Sequence, residues 1–328
     1  MTFTRSRFLA SLAALAAAPF SSGARAQAAP YPRKSVSVIV PYSAGGPADA
    51  MARQLQPALQ KALGGTVIVE NVGGAGGSLG VNRVLAPPTD GHAVLLASPM
   101  DLVLAPLTMS AARYQPEDMQ LVGMIISTDL ILLARKGLPA SNVSELIALA
   151  KRGKLSYGSV GQGSLFHLAA EQFSKRAGIE MIHVPYKGGG PLVQDLMGGQ
   201  IDLAFFPLAG PTLGAIQADR IKALALASTT RHPLLPQLPL VSETPGFGEF
   251  SYDIWGALGV ARSTPPEVSA KLHAALVETL GQPEIRKLLE SAGPRVPRPA
   301  PPDEVDRLYR QEIQRYRQLA QQAGIKPE

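Results

Sequence analysis

The chain of 328 residues contains no cysteine, so neither disulfide staples nor thiolate chemistry is available and stability has to come from packing. It has no uncharged apolar run of the ~20 residues that a membrane-spanning helix needs. It has no fixed-period repeat, no low-complexity tract and no long run of one charge, although Pro294 to Pro302 is a proline-rich connector. Its five histidines show no His-x-x-x-His spacing, and without cysteine ligands a zinc site is not expected. The formal charge of +6 falls to +3 when the three N-terminal arginines discussed next are removed, too mild a balance to suggest nucleic acid.

The N-terminus reads as a secretory signal. Arg5 and Arg7 precede an apolar run from Phe8 to Phe20, followed by small residues at Ala24-Arg25-Ala26 and Ala26-Gln27-Ala28. Cleavage is expected near Ala26 or Ala28. The arginines are not adjacent, which excludes a twin-arginine signal, and no lipobox cysteine follows the run. Removing residues 1–26 leaves 302, enough for two domains with their own cores.

Short β-rich runs alternate with helical patterns, as in α/β proteins with parallel sheets. Strands are predicted at 35–41, 66–70, 93–97, 121–126, 130–134, 155–159, 181–184, 201–206, 221–228 and 254–261. Thr264-Pro265-Pro266-Glu267 reads as a capping box with a proline at the first helical position, ahead of Val268, Leu272, Leu276 and Leu280. Asn142-Val143-Ser144-Glu145 opens another helix. Asp303 is expected to cap a last long helix with the apolar stripe Val305, Leu308, Ile313, Tyr316 and Leu319. Trp255 lies in an apolar run and is expected in the core.

Two glycine-rich loops join a strand to a helix: Pro41-Tyr42-Ser43-Ala44-Gly45-Gly46-Pro47-Ala48-Asp49 and Tyr157-Gly158-Ser159-Val160-Gly161-Gln162-Gly163-Ser164-Leu165-Phe166-His167. Glycine admits a ligand close to the backbone, and the first-turn amides of a helix carry partial positive charge. Neither loop contains Lys or Arg, so an anion would be held by amides and hydroxyls. Taken alone, either loop reads equally well as a tight turn; two in one exported chain point to binding. His167 sits in the first turn after Ser164, where it either meets the anion or bonds nearby backbone. Further on, His183-Val184-Pro185-Tyr186-Lys187-Gly188-Gly189-Gly190-Pro191 leads into a helix expected to begin at Pro191, with Tyr186 or Lys187 within reach of a ligand.

A third cluster, Gly76-Gly77-Ser78-Leu79-Gly80, has the spacing of a hydrolase nucleophile elbow, and Gly74, Gly76 and Gly80 that of a dinucleotide loop. Ser78 lies well past the strand ending at Glu70, however, and no acidic residue follows to hold a ribose. A glycine-rich turn opening a helix over Asn82 to Leu85 is the plainer account. The alternative function is an exported serine hydrolase using Ser78 or Ser164.

Several ordered motifs together resemble the substrate-binding receptors of the tripartite tricarboxylate transporters, the Bug receptors. They are Val40 to Asp49, Val69-Glu70-Asn71, Tyr157-Gly158-Ser159 with Gly163-Ser164 and His167, Val184 to Gly188, Gly199-Gln200-Ile201-Asp202, and Trp255-Gly256. The resemblance implies two Rossmann-like α/β domains joined by crossing strands, a type II-like periplasmic binding protein of Venus flytrap form. It places domain 1 at 29–127 plus 251–328 and domain 2 at 128–250; composition alone shows no boundary.

It also implies a periplasmic monomer that captures a small carboxylate in the interdomain cleft and hands it to a membrane permease, without cofactor, metal or nucleic acid and without enzymatic activity. The expected ligand-contacting residues are Tyr42, Ser43, Ala44, Gly45, Gly46, Ala48, Asp49 and Ser98 in the first domain, and Ser159, Gly161, Gly163, Ser164, His167 and Tyr186 in the second. Ala48, Ala105 and Phe206 stand where the family commonly carries Thr or Ser, Asn, and Asp. These departures suggest an aromatic or longer aliphatic carboxylate, dicarboxylates included, over citrate or an amino acid.

Overall fold

The computed structural model describes residues 31–110 and 112–322; the signal-peptide reading of residues 1–26 lies outside them. Among the described residues nine strands are organised as two sheets, eight along one path and the ninth paired to it from the side. In the first, β1 (Val36–Val40) lies between β2 (Val67–Asn71) and β3 (Ala93–Ala97), all parallel, and β3 pairs antiparallel with β9 (Asp253–Ala261). β1 is almost wholly apolar because helices cover both of its faces. On one side, α1 (Pro47–Leu63) and α8 (Pro266–Leu280) bury Leu55, Leu59, Leu272 and Leu276 against Val38 and Val40.

The sequence predicts two strands over 121–126 and 130–134. The structure has one, β4 (Met119–Arg135), 17 residues long and therefore roughly 55 Å from end to end. Its first part pairs with β9 from Met119↔Ala261 to Asp129↔Asp253. From Leu130 onward it lies between β7 (Leu203–Pro207) and β8 (Ile221–Ala227), antiparallel to both. β5 (Leu155–Ser159) and β6 (Met181–Pro185) complete the second sheet, each parallel to its neighbour.

The polar triplet Ser127-Thr128-Asp129 suggests a break in sequence, but here it marks the change of sheet. Ser127 Oγ reaches Asp253 Oδ2 at 3.2 Å and Asp129 pairs with Arg295 at 2.8 Å, so the strand runs on with its polar groups matched. Tyr252, just before β9, continues the crossing by accepting from Leu130 N at 2.8 Å and donating to Ala227 O at 2.9 Å.

The remaining helices are α2 (Ser78–Leu85), α3 (Ala105–Thr108), α4 (Val143–Ala150), α5 (Leu165–Ala177), α6 (Gly189–Gly198), α7 (Pro211–Gln217), α9 (Pro283–Ser291) and α10 (Pro302–Gln322). Three expectations need correction. α8 begins at Pro266 as predicted, but its N-cap is Pro265 and no side-chain cap bond forms. α6 begins at Gly189, two residues early, because Gly188 provides the extended entry. α10 begins at Pro302, ahead of Asp303, and buries Val305, Tyr309, Ile313, Tyr316 and Ala320, leaving Leu308 exposed. Tyr309 turns inward because its hydroxyl finds Pro116 O at 2.8 Å.

The helix opened by Asn142-Val143-Ser144-Glu145 is capped: Asn142 Oδ1 accepts from Glu145 N at 2.9 Å, and Glu145 Oε2 accepts from Ser141 N at 2.8 Å. Asn142→Ala should lower the unfolding free energy by about 1 kcal/mol. Urea denaturation with an unchanged m-value would register it; no change would mean the cap is replaced by water.

Candidate functional site

Loops leave the carboxyl ends of β1, β2 and β3 side by side, and their shapes are set by close backbone approach. A Cβ on Gly73 would lie 3.2 Å from Ser43 N, and one on Gly80 would lie 2.7 Å from Pro41 Cβ. In the first loop Ser43, Ala44 and Gly45 are exposed, Gly46 and Ala48 half-buried, and Asp49 buried. The Asp49 carboxylate turns back into the loop: it accepts from Gly45 N at 2.9 Å and from Arg53 Nε at 3.1 Å. Arg53 beside it, with the Gly45 amide, holds its carboxyl down at about 2. This closes the loop onto its own helix and neutralises the acid. The amides of Ala48 and Asp49, in the first turn of α1 after a proline, have no intrahelical acceptor by position.

Tyr42 and Ser98, expected at the ligand, both bond inward to Asp101. Asp101 Oδ2 lies 2.5 Å from Ser98 Oγ, 3.0 Å from Tyr42 Oη and 3.0 Å from Ser98 N. Asp101 is fully buried, and burial pushes its carboxyl up to about 7 despite these donors. Its carbonyl accepts from the Tyr114 hydroxyl, and a Cβ on Gly77 would fall 2.7 Å from the Asp101 Cβ. Loops from all three strands thus converge on one side chain. Asp101 sits in a turn of π-helix, Met100–Leu104, that runs directly into α3.

In the second sheet the loop after β5 is held by its own hydroxyls. Ser159 Oγ accepts from Gly161 N at 3.1 Å and lies 2.7 Å from His183 Nε2. Ser164 caps α5, accepting from His167 N at 3.4 Å while donating to Gly161 O at 2.7 Å. His167 Nδ1 accepts from Gly163 N at 3.1 Å, which fixes a neutral ring with its proton on Nε2. The two imidazoles lie 4.4 Å apart between ring centres. Burial lowers the pKa of His167, opposed by Glu171; burial and then the neighbouring His167 lower that of His183 to about 4. Tyr157 stacks beside His183 and bonds Glu171 at 2.5 Å.

Tyr186 is half-buried with its hydroxyl on Asp195 at 2.8 Å. Burial and that carboxylate push it up to about 12. Lys187 is exposed.

The two loops are connected in space. Gly163 (φ +75) faces α3 so closely that a Cβ there would lie 2.6 Å from Thr108 Cγ2. Contacts therefore run from Tyr42 through Asp101 and α3 to Gly163. Beside the second loop, Phe206 at the end of β7 packs 4.9 Å from Phe166 and fills the space that a side chain at Gly189 would need. Ala105 is buried against the turn at Gly76. Hollows elsewhere share no residue with either loop: one of 220 Å³ runs beneath Pro297–Ala300 over Leu276 and Leu280, and an open depression lies along α10.

Sequence reasoning missed Asp101, Thr108, Phe166 and His183 as site neighbours. Asp101 had a signal, a lone acid opening the apolar run Leu102 to Leu107. His183 had one only through register: it pairs with Tyr157, which places it diagonal to Ser159 on the same face. Ser78, the elbow serine, is fully buried. Among the described residues no group of three His, Asp or Glu is placed to hold a metal ion.

Residues 51–325 match the model of the Tripartite tricarboxylate transporter family receptor. The chain is 34% identical, over 97% of its length and 92% of the relative's, to the UPF0065 protein in the TAR-I ttuE-ttuC' intergenic region of Agrobacterium vitis. It is 32% identical to Protein BugT of Bordetella pertussis, over 90% of its length and 91% of that protein's. Among solved structures, the periplasmic binding protein BugD superposes with a TM-score of 0.81 at 31% identity, covering 91% of this chain and 100% of that one. R. palustris Rpa4515 with adipate gives 0.83 at 29% identity, with the same coverage. MatC from Rhodopseudomonas palustris with bound malate gives 0.79 at 29% identity, covering 88% and 99%.

Proposed function

The chain belongs to the tripartite tricarboxylate transporter receptor family, and from that premise we propose that it is a periplasmic receptor which closes two lobes around a small carboxylate and delivers it, as a monomer, to a membrane permease. The lobes are taken as residues 29–127 plus 251–328 and 128–250, with β4 and β9 crossing between them. The observation that carries the reading is the pair of strand-to-helix loops, one per sheet, linked through Asp101, α3 and the Thr108–Gly163 approach. Each offers first-turn amides to an anion, and hydrogen bonds to an ionised group contribute about 1.5–3 kcal/mol each. Ligand bridging both loops stabilises the closed form, because only that form makes both sets of contacts.

The contacting residues are proposed as Ser43 to Gly46, Ala48 and Ser98 on one side and Val160 to Ser164 with His167 on the other, where the fully buried Ser159 holds the loop through Gly161. Tyr42, Asp49 and Tyr186 hold the walls through their bonds to Asp101, Arg53 and Asp195. Phe166 and Phe206 supply an apolar surface beside the second loop, which favours an aromatic or longer aliphatic acid over citrate. MatC carries malate and Rpa4515 adipate, so acids of this size suit the fold.

The mature protein, refolded to strip carried ligand, should be screened by thermal shift against carboxylates and their amides. Saturation at ~100 times the dissociation constant adds about 2.7 kcal/mol, a rise of about 5 °C for a chain of this size. A rise with an acid and none with its amide is expected. Tight citrate binding with aromatic acids ignored would overturn the apolar-wall assignment, and no rise with any acid would overturn the receptor reading.

The 2.7 Å Ser159–His183 contact favours a second reading, an exported serine hydrolase. Ser159 is fully buried and shares its hydroxyl with Gly161, and among the described residues no carboxylate bonds His183. A fluorophosphonate should leave the protein unlabelled; stoichiometric labelling would reinstate the hydrolase.

A further inference from the structure

Asp101 is a buried carboxyl without an ion-pair partner among the described residues, and it faces two hydroxyls placed at the proposed ligand site. The hydrogen inventory of this group is restrictive. Ser98 and Tyr42 each carry one hydroxyl hydrogen. Asp101 Oδ2 lies within 2.5 Å of Ser98 Oγ and 3.0 Å of Tyr42 Oη, and the hydroxyls lie 3.1 Å from each other. When Asp101 is ionised, the strongest arrangement sends both hydrogens to the carboxylate. Ser98 then shows only lone pairs to the ligand side, which repel a carboxylate. When Asp101 is protonated, its own hydrogen goes to Ser98 Oγ, and the Ser98 hydrogen is released to point outward as a donor.

We propose that Asp101 is a positioning residue that couples carboxylate binding to uptake of one proton, by deciding whether Ser98 faces the ligand as an acceptor or as a donor. The proton comes from solvent and is held on Oδ2, no covalent bond changes, and the proton leaves when the ligand leaves. The inference rests on the receptor reading and deepens it: the ligand would be released more readily where the pH is higher.

The groups facing Asp101 are few. Tyr42 comes from the loop after β1, Ser98 from the end of β3, Tyr114 from the segment after α3, and Tyr309 from α10. The tyrosines are all raised by burial, with Asp101 adding to the rise, so none titrates below pH 9. His167 and His183, on the other loop, are lowered and stay neutral above pH 7. With the carboxyl raised to about 7, affinity should be flat below pH 7 and fall about tenfold per pH unit above it, because the free protein must then gain a proton to bind.

The test is calorimetric titration with benzoate and with adipate from pH 6 to pH 9. Asp101→Asn keeps the shape, leaves Oδ1 to accept from Ser98 N at 3.1 Å and supplies a permanent N–H donor toward Ser98 Oγ, so its affinity should match the acid plateau of the wild type at every pH. Ser98→Ala should lose both the slope and part of the affinity. A merely structural role for Asp101 would weaken binding equally at all pH values and leave the slope in place. If Asp101→Asn fails to fold, the wild type at pH 8 in two buffers of different ionisation enthalpy should still show uptake of one proton per ligand, and none at pH 6. Binding with a flat profile, or a slope retained in Asp101→Asn, overturns the inference alone. Absence of binding by either acid at any pH, together with no thermal shift from any other carboxylate, overturns the receptor reading, and this inference with it.

Discussion

Replacing Arg295 by leucine should lower the unfolding free energy by about 3 kcal/mol at neutral pH. Arg295 lies in the segment after α9 that straps the crossing strands. Its backbone exchanges two 2.8 Å hydrogen bonds with Ser127, and its guanidinium reaches Asp129 Oδ2 at 2.8 Å. Asp129 is 6% exposed and faces Asp253 across the β4–β9 pair. Without the guanidinium, a buried carboxylate stands opposite another acid with little compensation. The figure is at the low end of the buried-pair range because the Arg295 side chain is still 35% exposed.

The pH dependence follows from the direction of the shift. Burial already raises the Asp129 carboxyl, with Arg295 opposing, so removing Arg295 raises it further. A raised folded-state acid binds more protons than the unfolded chain, and stability falls as pH rises toward the folded value. The deficit of Arg295→Leu should therefore be complete at pH 8 and shrink toward pH 4, and adding Asp129→Asn should recover most of it. Chemical denaturation at the two pH values measures this. An equal deficit at both would mean that the loss comes from Arg295 packing and not from the stranded charge.

The second large effect is a reversal of sign. Alanine in place of a mid-helix glycine ordinarily stabilises by about 0.5–1 kcal/mol. Gly214, exposed in α7 with no atom within 4 Å of its would-be Cβ, should behave that way. Gly80 in α2 should not: its Cβ would meet Pro41 Cβ at 2.7 Å, Pro41 Cα at 2.8 Å and Val72 O at 3.1 Å. These are backbone and proline atoms with no rotamer to yield, so Gly80→Ala is expected to destabilise by about 2 kcal/mol. Thermal melts of the two variants should move in opposite directions. Equal stabilisation by both would mean that α2 can slide away from β1.

Most strands and both glycine loops were legible because their signals are local: apolar runs of strand length, then Gly-rich turns, then helical periodicity. The errors lie where a residue's partner is distant in sequence. Ser127-Thr128-Asp129 looked like a break because Arg295 and Asp253, which match two of its polar groups, are more than a hundred residues away. Leu308 and Tyr309 exchanged places because the Tyr309 hydroxyl is matched by the carbonyl of Pro116. The convergence on Asp101 draws donors from loops after β1 and β3, which no window along the chain brings together.

The shared strand has a mechanical consequence. β4 and the Tyr252–β9 segment pass side by side between the sheets, bonded to each other on both sides of Asp129. A hydrogen-bonded two-ply ribbon yields readily when flexed across its flat faces but resists sliding of one ply past the other, since sliding breaks the ladder in register. On the receptor reading proposed above, this ribbon would let the lobes swing about a single axis, like pages on a spine, and would keep them from gliding.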